Sequence, residues 1–235
     1  MRFAVEGQVF ERLPDLVFGG VVAYGIDNHY IPALLEGRLE AAEERCRQEI
    51  APDQLKTHPA VLPYRTAFQN LGINPNRFPS SIEAMLKRVL KGSRLPTINP
   101  VVDLGNSLSL KYLLPMGAHD LDQLTGEVAV RFSRDTDRFV PLGEDAEEVL
   151  QAGELIYADA CRVRTRRWIW RQSQIGCVTP ESRTIFFPID GFSTCNRQAV
   201  ENAAAELETL LREGWNCRTH RFTVDAEHPC AELGV

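Results

Sequence analysis

The chain has 235 residues, 44% of them hydrophobic and 25% charged, with a formal net charge of −6. That is the composition of a globular protein long enough for a sizeable core, built as one large domain or two small ones. The acidic balance excludes a nonspecific nucleic-acid coat, which needs clustered Lys and Arg, but it leaves room for a local basic patch.

The start, "MRFAVEGQVF", mixes Arg2 and Glu6 into a short apolar pattern and has no signal-peptide apolar region. Residues 3–9 and 16–26 are predicted strands. The second, "LVFGGVVAYGI", is the longest apolar run and falls short of the roughly 20 residues of a membrane span. A charged helix is expected over 31–50, then a linker over 51–63 with three prolines, then a short helix in "YRTAFQNLGINP" at 64–75. The stretch "FPSSIEAMLKRVLKG" at 78–92 carries the clearest helix signals. Ser80 and Glu83 have capping-box spacing, Ile82, Met85, Leu86, Val89 and Leu90 share a face, and Gly92 ends the run. "NPVVDLGNSLSLKYLLP" at 99–115 reads as a buried helix, with Asn99 as cap and Pro100 at the first turn.

After residue 125 the pattern changes to short strands: "GEVAVRFS", "DRFVPLG", "GELIYADACRVRT", "RWIWRQS" and "RTIFFPIDGF". A last helix is expected over 196–212 and a last strand in "CRTHRFTV". Helices first and antiparallel strands later indicate an α+β fold. The six cysteines contain no Cys-x-x-Cys pair and the five histidines no ligand spacing. Reduced thiols in a cytoplasmic protein, with no metal and no cofactor, are therefore expected.

Two stretches carry candidate chemistry. In "PTINPVVDLGNSLSLKYLLPMGAHDLD" at 96–122, Asp103, Asn106 and Ser107 interrupt an apolar helix, and His119, Asp120 and Asp122 follow at once. Such polar groups either find partners or face a pocket. A histidine beside a carboxylate suits proton or hydrogen-bond chemistry, and an asparagine can orient a carbonyl or a water. The plainer alternative makes Asp120 and Asp122 caps of the short "LDQL" turn and His119 a surface residue. In "RVRTRRWIWR" at 162–171, strand periodicity puts Arg162, Arg164, Arg166, Trp168 and Trp170 on one face. That face either stacks indoles beneath guanidiniums within the fold or offers phosphate contacts and stacking platforms to RNA.

Residues 73–143 resemble the editing region of the bacterial phenylalanyl-tRNA synthetase β subunit. The resemblance rests on "INPNRFPSSIEAMLKRVL", on "LPTINPVVDLGNSLSLKYLLPMGAHDLDQLTGEVAVRF" and on "PLG", and extends to "GELIYADA" and "RRWIWRQS". The family carries an Asp-x-x-Asn pattern followed by a Pro-Leu-His-Ala-Phe-Asp loop. Here these read Asp103-Leu-Gly-Asn106 and Pro115-Met-Gly-Ala-His-Asp120. The family's loop histidine thus falls on Gly117, and His119 stands where the family has an aromatic. The aminoacylation core and the anticodon-binding module are not recognisable.

The resemblance implies an α+β fold of packed antiparallel and mixed sheets, sandwich-like, with flanking helices. It implies one editing-type domain over 1–235, with 1–57 as an extension packed on it. It further implies an RNA-binding protein that hydrolyses mischarged aminoacyl-tRNA in trans; the alternative is a non-catalytic binder of tRNA or of a small amino acid-like ligand. Asn106 and His119 would be catalytic, aided by backbone amides at Gly117. Asp103, Ser107, Gly117 and Asp120 would bind substrate. Arg166, Arg167, Trp168, Trp170 and Arg171 would hold the tRNA acceptor end. No membrane partner is expected.

Overall fold

The computed structural model describes residues 1–160 and 162–234. In chain order its first elements are β1 (Arg2–Val5), α1 (Gly7–Arg12), β2 (Leu16–Tyr24), α2 (Arg38–Glu49), α3 (Leu62–Asn70), α4 (Ser81–Leu90) and α5 (Pro100–Tyr112). Short strands follow: β3 (His119–Asp120), β4 (Val128–Phe132), β5 (Arg138–Phe139), β6 (Glu148–Val149), β7 (Leu155–Ala158), β8 (Val163–Arg166) and β9 (Arg171–Gln172). The chain then runs through β10 (Thr184–Phe192), α6 (Arg197–Trp215), β11 (Arg218–Val224) and β12 (Cys230–Glu232). No helix among the described residues is long and apolar enough to cross a membrane.

Two sheets carry the architecture. One has the order β12-β1-β4-β7-β8-β9, the other β11-β2-β10-β3. β1 pairs parallel with β4, while its pairing with β12 is antiparallel. The sheets pack face to face through aromatics: Phe3 of β1 lies 5.7 Å from Phe18 of β2 and 5.2 Å from Phe186 of β10, between ring centroids. Such edge and tilted contacts add about 0.5–1.5 kcal/mol each beyond the area they bury. α3 and α4 close this core with Tyr64, Phe68, Ile82, Leu86 and Val89. On the far side of the second sheet, Val17, Val21, Ile185, Phe187 and Ile189 meet α5 and α6. The period of two explains why β2 and β10 read as unbroken apolar runs: both faces are covered. Gly20 belongs to the same logic, since a Cβ there would lie 2.3 Å from the Phe222 ring.

The local signals at the two clearest helices are realised. Ser80 Oγ accepts from Glu83 N at 3.4 Å, and Asn99 Oδ1 accepts from Val102 N at 3.0 Å. Glu83 does not complete the box; its carboxylate turns instead to Arg65 Nη1 at 2.6 Å.

Several expectations are corrected. The first strand stops at Val5, and α1 follows because Val9, Phe10 and Leu13 bury one helical face. The helix expected from 31 begins only at Arg38, after Gly37 at φ +70°. The linker at 51–63 holds a 3-10 turn over Pro52–Thr57. Residues 1–57 supply β1 and β2, which have neighbours on both sides in the two sheets. The strand expected over 153–165 is two strands; position 161 between them lies outside the described residues. The strand expected over 167–173 is a tight turn. Arg167 and Trp168 take left-handed backbone, φ 47° and 59°, between the paired β8 and β9. The shared face of Arg162, Arg164, Arg166, Trp168 and Trp170 is therefore not formed.

Candidate functional site

Between the two sheets, at one end, lies a cleft of about 80 Å³. Its walls come from Pro115–Gly117 and His119, from Tyr157 and Thr165, from the 168–172 turn, and from Pro188 and Asp190. By volume it holds a handful of water-sized groups, at about 10–15 Å³ each.

Asp190 forms its base. It is the single acidic residue of the largely apolar β10, and it points toward the first sheet. Its Oδ1 accepts from Tyr157 Oη and from Trp168 Nε1, both at 2.6 Å. Its backbone oxygen accepts from Tyr64 Oη at 2.8 Å, and its amide donates to Pro115 O at 3.0 Å. No hydrogen bond from the described residues reaches Oδ2. Burial pushes the carboxyl up to about 7, against the pull of the two donors. The strained turn has its reason here. Left-handed φ on non-glycine residues costs roughly 1–2 kcal/mol each. At Trp168 it sends the indole inward, fully buried between Tyr64, Phe68 and Phe192, onto Asp190.

His119 lines the same cleft. Its ring centroid lies 5.7 Å from Tyr157 and 6.2 Å from Phe186. Burial, helped by the Arg164 charge, pushes it down to about 3, so the ring is neutral at physiological pH. Nδ1 is buried without a hydrogen-bond partner among the described residues. Nε2 lies 3.5 Å from where a Cβ on Gly117 would sit. The imidazole thus reaches into the space that a side chain at 117 would enter.

The other expected residues separate. Asp103 and Ser107 line a different cleft, of about 150 Å³, between α5 and the segment from Ile31 to Glu40. Asp103 Oδ1 accepts from Ile98 N, just before the helix, at 3.0 Å, and Ser107 Oγ donates to Leu104 O of its own helix at 2.8 Å. Asn106, half-buried on the same helix, is among the lining residues of neither cleft. Asp120 is occupied as a turn cap, accepting from Asp122 N, Gln123 Nε2 and Ser182 Oγ. The Gly117 amide donates to Pro188 O at 3.0 Å and is not free to hold an oxyanion.

The arginine-rich stretch is neutralised locally. Arg164 is buried against Asp159 and donates to Gln123 O at 2.7 Å. Arg166 is held by Glu154 and Glu148, Arg171 by Glu144 at 2.8 Å, and Arg162 by Glu147. Arg167 lies 3.4 Å from Glu154 and stacks 3.9 Å over the Phe78 ring and 4.8 Å over Trp170. Of the five residues expected to meet RNA, Trp168 is wholly buried and offers no face for a base; Trp170 and Arg171 line the cleft. Sequence reasoning missed Asp190, Tyr157 and Tyr64. The available signal was a single acid in the apolar strand "TIFFPIDGF".

Comparison with known proteins agrees with this architecture. The family described as B3/4 domain matches residues 63–216. Phenylalanine–tRNA ligase β subunits are similar over parts of the chain. That of Fusobacterium nucleatum is 35% identical over 74 residues, 32% of this chain and 9% of its own length. That of Colwellia psychrerythraea is 39% identical over 89 residues, 37% of this chain and 10% of its own length. The chain thus spans about a tenth of the curated relatives it matches. An N-terminal fragment of the phenylalanyl-tRNA synthetase β subunit from Pyrococcus horikoshii has the same fold. The match has a TM-score of 0.50 at 11% identity, over 94% of this chain and 53% of that one. The two-sheet α+β architecture and the match over 63–216 together make this chain a member of the B3/4 domain family, related to the domain of that type in the phenylalanyl-tRNA synthetase β subunit.

Proposed function

We propose that the protein hydrolyses the ester of a mischarged aminoacyl-tRNA supplied in trans, in the cleft between His119 and Asp190. The observation that carries this reading is the place of the His119 ring, with Nε2 3.5 Å from the Cβ position of residue 117. The resemblance assigns the editing loop's histidine to that residue. A ring rooted two positions later on β3 reaches the same space.

In the reaction a water adds to the ester carbonyl, the bond to the ribose oxygen breaks, and the ribose oxygen takes up a proton. His119, neutral because it is buried, orients the water or the carbonyl through one hydrogen bond; it is a poor proton acceptor at pH 7. Asn106, on α5 and outside the lining of this cleft, takes no part in this reading. Trp170 and Arg171, at the cleft, meet the terminal nucleotide, and the Arg167–Phe78–Trp170 stack stiffens that rim.

A non-catalytic binder is the second reading, favoured by the low basicity of His119. The experiment is incubation with a panel of separately mischarged tRNAs, following release of each amino acid and binding of each tRNA. Release from one or a few supports hydrolysis. Binding without release supports the binder, and the absence of both release and binding overturns both readings.

A further inference from the structure

We infer that Asp190 is the anchor for the free α-ammonium group of the aminoacyl ester, so that the site accepts esters with an unblocked amino group and rejects N-acylated ones. The inference rests on the function proposed above and extends it to substrate recognition. Asp190 is 2% exposed, yet it lines the cleft. Oδ1 is saturated by Tyr157 and Trp168, which fixes the plane of the carboxyl, and Oδ2 is left without a partner among the described residues.

Oδ2 is not fully buried and opens to the cleft, where a donor from a ligand can reach it. An ammonium supplies both the donor and the opposite charge. The surroundings suit a cation: Tyr157, His119 and Trp170 line the same cleft, and aromatic rings attract ammonium groups. The cleft volume of about 80 Å³ accommodates the ammonium, Cα and carbonyl, and an added acyl group on the nitrogen would fill the space that Oδ2 faces.

Lining the cleft with Asp190 are Tyr157 from β7, Trp168 from the turn, Arg171 from β9 and His119 from β3, while Tyr64 from α3 donates to its backbone oxygen. Arg171 is paired with Glu144. None of the others is charged at neutral pH; burial holds His119 unprotonated and both tyrosines protonated. The counter-charge for Asp190 must therefore come from the ligand.

The test uses two non-hydrolysable probes, 3′-alanylamido-3′-deoxyadenosine and its propionyl counterpart, which differ only in the amino group. Titration calorimetry at pH 6, in two buffers of different ionisation enthalpy, reads affinity and proton release together. The wild-type protein should favour the alanyl probe by on the order of a hundredfold. Because the carboxyl titrates near 7, it should release close to one proton on binding that probe and none on binding the other. Asp190→Asn keeps an oxygen for Tyr157 and Trp168, and should lose both the preference and the proton release while its near-ultraviolet dichroism stays native. Equal affinity for the two probes, or preference and proton release that survive Asp190→Asn, overturns the inference and leaves the proposed hydrolysis standing. Failure to bind either probe by a protein that hydrolyses charged tRNA also overturns it alone. Failure to bind by a protein that hydrolyses none overturns both.

Discussion

Asp190→Asn should stabilise the protein above pH 7 and leave it unchanged near pH 4. A carboxyl that titrates at 3.8 when unfolded and near 7 when folded keeps its proton in the native state over that interval, while the unfolded chain loses it. The native state then binds more protons, so stability falls as pH rises. Each pH unit between the two values removes about 1.4 kcal/mol. The loss is fully developed above pH 7 and reaches about 4 kcal/mol for a fully buried group. His119 acts with the opposite sign. Its folded value near 3 lies below the unfolded 6.5, so its contribution is lost as pH falls from 6.5 toward 3. Between about pH 4 and 6.5 the two slopes cancel, and this pair leaves the wild-type curve flat there. Asparagine removes only the Asp190 slope. Urea unfolding of both proteins from pH 4 to 9 should therefore give a difference that grows by about 1.4 kcal/mol per unit to near pH 7 and then stays level. A difference independent of pH, or one that shrinks with rising pH, would refute the assignment of a raised carboxyl at Asp190.

Three further outcomes follow from the geometry. Arg171→Gln should flatten the log–log salt dependence of tRNA binding by about one unit, whereas Arg166→Gln should lower stability with little change in that slope, because Arg166 is 15% exposed and bound to Glu154 and Glu148; filter binding across a salt series, with thermal melts, separates the two. Gly176→Ala should destabilise by roughly 3–5 kcal/mol, because a Cβ at that φ +75° position would lie 1.5 Å from Arg164 Nη1 and drive the guanidinium off Asp159; a melt within about 1 kcal/mol of wild type would contradict it. We propose that 1–235 is one folding unit, so removing 1–57, with interior strands β1 and β2, should give a chain without a cooperative transition rather than a stable core domain.

The parts of the fold that were legible in the sequence are those with local physical signals. α4 and α5 announce themselves through Ser80, Asn99 and Pro100 because capping is decided within one turn. β2 and β10 were legible as apolar runs, since burial on both faces leaves no room for polar residues. β3, of two residues, exists only through its pairing with β10, distant in sequence, and carries no period of its own. The turn at Arg167 and Trp168 was hidden because no glycine marks its left-handed backbone; the burial of Trp168 against Asp190 enforces it. For the same reason Asp190 was missed: its partners Tyr157 and Trp168 lie 33 and 22 residues away, joined only when the sheets pack. His119 was found from its loop, and the neighbouring Asp120 took the plainer role of a cap.

The central claim is that His119 fills the place of the loop residue at 117 and orients ester hydrolysis. The direct measurement is the first-order rate of amino-acid release from the mischarged tRNA that the wild type prefers, compared among wild type, His119→Ala and the exchange variant Gly117→His with His119→Phe. The expected result is release by the wild type, a loss on the order of a hundredfold in His119→Ala, and recovery of most of that loss when the imidazole is returned to position 117. Release that is equal in wild type and His119→Ala, or no release by wild type from any member of the panel, would contradict the account.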